Sequence, residues 1–267
     1  HVTAPGHVEL GDGMPARRDT DVPLPSDPAA WLKQQSDLVA THWHAVLDRV
    51  DIRVPAKVQP IVDTLRSGIA HILISRDGPA LQPGTRSYSR TWVRDGAMMM
   101  EGLLRTGHEE VAGAFVRWYA PHQFSNGKVP CCVDSRGSDP VPENDSHGEL
   151  IHNIAEYWRY TGDGTFLELM WPHVQGAYSY MEQLRASERT EENRPRNPAF
   201  YGMIPASSTH EGYSAKPMHS YRHNLWALRG SKHAAPGAAP PGKPHALPIS
   251  HPPAPFPSHP LAPLSPA

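Results

Sequence analysis

An all-α fold is predicted by three features of the sequence. Apolar residues recur at steps of three and four through most of the chain between Trp31 and Leu228. Two tripeptides, Arg105-Thr106-Gly107 and Tyr160-Thr161-Gly162, each close one such stripe with a glycine placed as a helix C-cap, and the next stripe follows almost at once. Between the stripes, short turns alternate with long loops. Together these features predict about six main helices after a leading one, arranged as antiparallel hairpins.

Residues 1–28 are rich in Pro, Gly and Asp without periodicity and read as a linker or the remnant of something upstream. Ser26-Asp27-Pro28 is a helix start signal, and Trp31, Leu32, Leu38, Val39, Trp43, Val46, Leu47 and Val50 then approximate a helical stripe. After the break at Pro55, the residues Val58, Ile61, Val62, Leu65, Ile69, Ile72 and Leu73 give a cleaner one. The stretch from Ser87 to Met100 passes from an extended, aromatic, basic segment into a helix that is apolar nearly all round, with Ala97, Met98, Met99, Met100, Leu103 and Leu104 expected in the core. Val111, Phe115, Val116 and Tyr119 form the returning partner of that helix. A second hairpin pairs Leu150, Ile151, Ile154, Tyr157 and Trp158 with Leu167, Met170, Trp171, Val174, Tyr178, Met181 and Leu184. The sixth helix is placed at Lys216 to Gly230, with Met218, Tyr221, Leu225 and Leu228 in step.

Composition excludes several function classes. The 267 residues carry a net charge of −2, which gives no electrostatic footprint for nucleic acid. No run of about 18 apolar residues is present to span a membrane. The two cysteines, Cys131 and Cys132, are adjacent, so neither a loop-closing disulfide nor a CxxC zinc site is expected. Seventeen histidines are scattered without an HExxH, so no metal site is expected. The chain has no Gly-rich phosphate loop and no GxSxG, and no cofactor is implied. Starting at His1, it reads as a processed chain or a fragment.

The long loops run from Ser75 to Arg94, from Pro121 to Asp145 and from Arg185 to Lys216. Hairpins with this alternation place all three at one end. Arg94, Asp95, Glu143, Asp145, His210 and Glu211 lie on those loops or at the helix starts they lead into, so the pattern predicts that they share a face. Beside Tyr88, Trp92, Tyr201 and Tyr213, these carboxylates offer acid/base chemistry and flat stacking surfaces. Two readings stand for Arg94 and Asp95: a salt bridge and cap at a helix start, or a pair delivered into a pocket. The same holds for Asp145, which precedes Ser146-His147-Gly148-Glu149 as an N-terminal cap would.

The segments SYSRTWVRDGAMM, ENDSHGELIHNIAEYWRYTGD and YGMIPASSTHEGYS, in this order and on alternating hairpins, resemble the six-hairpin glycosidases of glucoamylase-like (α/α)6-barrel type. The resemblance covers roughly Pro55 to Gly230 and implies part of an (α/α)6 toroid, its N-terminal half, in a hydrolase acting on an oligosaccharide or glycoside. It implies that Trp92, Arg94 and Asp95 hold the terminal sugar ring, that Asp145 lines the sugar pocket, and that Glu211 is the general acid, with His210 and Tyr213 beside it among the substrate-binding residues. The segment around Glu211 lacks the paired glutamates of the glucoamylase pattern. In such enzymes the carboxylate that activates water comes from the second half of the barrel. No Asp or Glu follows Gly230, so the chain as given is expected not to be a competent enzyme, and an open half-toroid would expose the apolar faces of Leu104, Trp158 and Leu225. The alternative is a non-catalytic helical scaffold that binds a glycan or a protein.

Three regions follow: 1–28 as linker, 29–230 as the partial glycosidase-like domain, and 231–267 as a tail of which roughly a third is Pro. Such a tail cannot bury a core and is expected to be disordered. It starts where a seventh helix ought to follow, and so reads as something other than native continuation.

Overall fold

Helix propensity and capping place eight α-helices among the described residues. The computed structural model describes residues 26–196, 198–208 and 216–234, together with the strand residues 9–10 and 14–15. The chain divides into two units, His1–Arg49 and Val50–Ala267. In the first, β1 (Glu9–Leu10) and β2 (Met14–Pro15) pair antiparallel within the segment that showed no periodicity. Helix α1 (Pro28–Leu47) begins as its start signal predicts, with the Asp27 side chain accepting from the N–H groups of Ala29 and Ala30. None of its residues is buried, although Trp43, Val46 and Leu47 are half-buried.

In the second unit, α2 (Gln59–Ser75) follows a 3-10 turn and buries only Val62 and Ile69; Ile61 and Leu65 are exposed. Then come the two hairpins. Helix α3 (Val93–Arg105) turns into α4 (Glu109–Tyr119) through a left-handed Gly107, where the N–H of His108 bonds to the Leu103 carbonyl and that of Gly107 to Leu104. This double bond set is the Schellman arrangement that only a residue tolerant of positive φ closes cheaply. Helix α5 (Ser146–Thr161) ends on the left-handed Gly162, and α6 (Gly164–Glu188) starts at once, capped by Asp163 on the N–H of Phe166. A single turn of helix, α7 (Asn193–Arg196), precedes α8 (Tyr221–His233).

The core lies where α5 meets α3, α4, α6 and α8. Phe115 of α4 and Tyr157 of α5 seat their rings on Gly96 and Gly113, where a Cβ would stand 2.3 and 2.6 Å from ring carbons. All of α5 from Ser146 to Ala155 is buried. Its contact with α8 is the tightest: a Cβ on Gly148 would lie 2.1 Å from the Trp226 carbonyl oxygen, and one on Gly230 would lie 2.7 Å from Gly148 Cα. Asp145 at the start of α5 meets Arg222 and His223 at the start of α8, and His152 meets His233 in its last turn. The two helices therefore run side by side in the same direction.

Two expectations need correction. Helix α3 is not apolar all round: Met98 is 61% exposed, and burial is confined to the face carrying Val93, Gly96, Ala97, Met100, Leu103 and Leu104. Of the three residues expected to be exposed, Leu104 is covered, Trp158 is half-buried and Leu225 is exposed. Helix α8 starts five residues later than placed and uses another face. Tyr221, Leu225 and Met218 are exposed, Met218 pairs with Ser207 in an isolated bridge, and the buried residues are His223, Ala227, Gly230 and His233. Close helix approach needs small side chains at the seam, and only that face of α8 supplies them. The proline-rich tail beyond Ala234 lies outside the described residues. Among the described residues, no helix is long and apolar enough to cross a membrane.

The long loops carry a small antiparallel sheet in the order β3 (Thr91–Trp92), β4 (Cys132–Asp134), β5 (Gly137–Ser138), with Trp92 opposite Cys132 and Val133 opposite Ser138. It ties the loop before α3 to the loop before α5. Arg90, held between Asp134 at 3.0 Å and Asp139 at 2.9 Å, locks the same two loops together.

The Gly148 contact yields a paired prediction. Gly148→Ala forces backbone apart and should destabilise the protein by about 1–3 kcal/mol. Gly68→Ala, in an open position of α2, should stabilise it by about 0.5–1 kcal/mol. Urea denaturation of both variants checks the signs; equal effects would remove the close helix contact.

Candidate functional site

Three helix N-termini converge on one cluster of charge. Arg94 is the second residue of α3, Asp145 occupies the N-cap position of α5, and Arg222 is the second residue of α8. One Arg94 nitrogen lies 2.9 Å from Glu143 Oε2 and 3.6 Å from Asp145 Oδ2, while its Nε stands 3.8 Å from Asp95. Arg222 Nε approaches Asp145 Oδ2 from α8 at 3.4 Å. The sequence pattern put Arg94, Asp95, Glu143 and Asp145 at one end of the array, and the structure brings these four together. Helix N-termini carry partial positive charge, so the three carboxylates gathered there sit in a favourable field.

The two readings of Asp145 separate here. Its side chain makes no capping hydrogen bond although it stands at the N-cap position, and neither of its oxygens has a hydrogen-bond partner among the described residues. Fully buried, it instead faces Arg94, Arg222 and, at 3.9 Å, His223 Nε2. Asp95 falls in the first turn of α3 with its side chain 29% exposed, which makes it one of the more accessible groups of the cluster.

Sequence reasoning named Glu143 as part of the shared face but passed over Glu149, Arg222 and His223. Glu149 lies one turn into α5, fully buried, with neither carboxyl oxygen hydrogen-bonded among the described residues. Burial, reinforced by Asp145, pushes its pKa well up, and Arg94 and Arg222 pull against that. Burial by itself would lower the Arg94 guanidinium, but Glu149, Asp145 and Glu143 together outweigh it and hold the pKa above the usual arginine value. Burial lowers His223 in spite of Asp145. The signal for Glu149 was present in the acid–apolar alternation Gly148-Glu149-Leu150-Ile151, where a carboxyl stands inside a helix buried on both sides of it.

Ser207, His223 and Asp145 stand in line: Ser207 Oγ is 3.2 Å from His223 Nδ1, whose other nitrogen faces Asp145. The 3.9 Å gap exceeds a hydrogen bond, and Ser207 also accepts from the Asn144 N–H at 3.3 Å. Asn144 also donates to the Pro205 carbonyl. Glu211, His210 and Tyr213 lie outside the described residues. Ser207 and Met218, on either side of them, pair with each other at 3.1 and 3.3 Å, and the Ser207 contact with Asn144 ties that pair beside Asp145.

Among the aromatics, Trp92 is half-buried at the N-cap of α3, with Tyr88 6.4 Å from it and Arg90 over its face at 5.5 Å. Tyr201 is engaged by Arg194 instead. Cys131 and Cys132 are both buried, with their sulfur atoms 3.2 Å apart. The absence of metal-ligand spacing in the sequence did not anticipate a second cluster, in which His152, Glu156 and His233 place ligand atoms within 4.8 Å of one another. Comparisons with family models, with curated proteins and with solved structures returned no match.

Glu149 makes stability depend on pH in a definite direction. Its folded pKa is raised above the ordinary 4.5, so the stability it contributes is complete below 4.5 and is lost as pH rises through the folded value. Glu149→Gln keeps the shape and removes the titration. The difference in unfolding free energy between the variant and the parent should therefore grow in the variant's favour with rising pH. A pH series of urea titrations on both proteins reads this directly; parallel profiles would mean that Glu149 is solvated.

Proposed function

We propose that the chain is part of a carbohydrate-active enzyme, a hydrolase of glycosidic bonds built on the six-hairpin plan, with the toroid as its architecture. The observation that carries this reading is the convergence of three helix N-termini on Arg94, Asp95, Glu143, Asp145, Glu149 and Arg222. Glycoside hydrolysis needs a proton donor and a second carboxylate on opposite sides of the bond. Glu211 fills the role of donor, on a segment bracketed by the Ser207–Met218 pair next to Asp145. Arg94 and Asp95 serve the terminal sugar, the guanidinium donating to one hydroxyl and the carboxylate accepting from another, with Trp92 as the apolar wall. Such polar complementarity penalises a sugar that lacks the matching hydroxyl. Asp145 lines the pocket floor, and His210 and Tyr213 complete the substrate contacts.

One observation favours a second reading. Asp145 and Glu149 are fully buried, so the cluster also fits an internal network that pins helix ends in a non-catalytic scaffold binding a glycan or a protein. Turnover and binding distinguish the two. We would assay residues 1–267, and any longer natural chain containing them, against α-linked and β-linked oligosaccharides, with calorimetry for binding. Glu211→Gln should lower turnover by about 10²–10⁴-fold, the usual worth of general-acid catalysis, with sugar binding nearly unchanged. Equal activity in both forms removes Glu211 from the mechanism. Binding without turnover in every form selects the scaffold.

Asp95→Asn tests the sugar contact separately. It should weaken binding of the terminal sugar while shifting the melting temperature little. A collapse in melting temperature with unchanged binding by the folded fraction would make Asp95 a helix-start residue only.

A further inference from the structure

The second cluster stands apart from the charged helix starts, and it is built by the same pair of helices. His152 and Glu156 lie one turn apart on α5 and so project from one face. The close approach at Gly148 and Gly230 draws the last turn of α8 against that face, and His233 arrives there with its ring 5.3 Å from that of His152. His152 is fully buried and His233 is 9% exposed, yet both nitrogens of His152 and Nδ1 of His233 have no hydrogen-bond partner among the described residues. The nearest approach is His152 Nδ1 to Glu156 Oε1 at 3.9 Å, too long for a hydrogen bond. Buried imidazoles whose nitrogens meet no protein partner are costly unless something else meets those nitrogens.

We propose that His152, Glu156 and His233 form a binding site for a divalent transition-metal ion, with Zn²⁺ suited to the two-imidazole, one-carboxylate donor set. The three ligand atoms lie within 4.8 Å of one another. Bonds of 2.0–2.2 Å to a tetrahedral ion would set them about 3.3 Å apart, so the side chains need to close by roughly 1.5 Å at most. Burial, with Arg229, His233 and Arg159 adding to it, lowers the His152 pKa to about 3, and burial with Arg159 and Arg229 lowers that of His233 to about 4.

Two arginines flank the site among the described residues. Arg159 hydrogen-bonds to Glu156 Oε1, which orients the carboxylate as outer partners of metal ligands do. Arg229 lies over the Trp226 ring, 5.5 Å from its centre. Both guanidiniums oppose a further cation, and Glu156 is the negative charge that meets it.

The test uses the full chain, stripped of metal, titrated with Zn²⁺ by calorimetry and with Co²⁺ by visible absorption. One Zn²⁺ should bind per chain with a dissociation constant in the micromolar range or tighter, and Co²⁺ should give the intense d–d absorption of a four-coordinate site. His152→Ala and His233→Ala should each weaken that binding by at least about tenfold, the smallest loss usual for a disrupted ligand shell. Glu156→Gln, at a position with 13% side-chain exposure, keeps the fold if either histidine variant does not, and should weaken binding similarly. The exposed pair His42→Ala and His44→Ala should leave the affinity unchanged. Zn²⁺ binding that survives all three cluster substitutions, or that disappears with His42 and His44, overturns the proposal, as does the absence of saturable binding.

Discussion

Helix α5 is buried along its whole first part, from Ser146 to Ala155, although that stretch contains His147, Glu149, His152 and Asn153. A helix of this composition cannot be packed against hydrocarbon alone, because each buried polar group that meets no partner opposes folding. Its neighbours are accordingly chosen by chemistry as well as by shape. The Val129 N–H donates to His147 Nδ1 at 3.1 Å, two arginines from α3 and α8 face Asp145, and His233 comes down beside His152. Burial takes His147 to about 3, with Lys128 and His223 adding to the effect, so it accepts that hydrogen bond as a neutral ring.

Packing and electrostatics are coupled through the Gly148–Gly230 seam. With no side chain at either position, α8 approaches until the Trp226 carbonyl nearly touches the α5 backbone. That distance brings Arg222 within 3.4 Å of Asp145 at one end of the pair and His233 next to His152 at the other. Two polar clusters thus depend on one contact between glycines, and a separation of the helices by the width of a methyl group would loosen both.

The hairpins were legible from local signals, since a C-capping glycine followed at once by a new stripe needs no tertiary information. The core faces of α4 and α6 were legible for the same reason: Phe115, Val116, Met170 and Met181 are buried as their spacing requires. The face of α8 was not. Its most apolar stripe, through Tyr221 and Leu225, points outward, because the seam with α5 selects for size and Ala227 and Gly230 are the residues small enough to sit there. Met98 was misplaced by a similar inference, in which an apolar run was read as burial on every side.

The site divides along the same line. Sequence by itself determined which residues sit at helix starts after long loops, and that put Arg94, Asp95, Glu143 and Asp145 at one end of the array. Loop length and helix direction are local properties and carry that much. Only the tertiary structure decided that Arg94 bridges Glu143 and Asp145, that Glu149 is sealed in with its pKa raised, and that Arg222 arrives from α8. It also decided that His152 and Glu156 acquire His233 as a neighbour. Partners so far apart in the chain meet because of how helices pack, and helix packing depends on the space left at each seam, a property of two surfaces together that neither segment encodes alone.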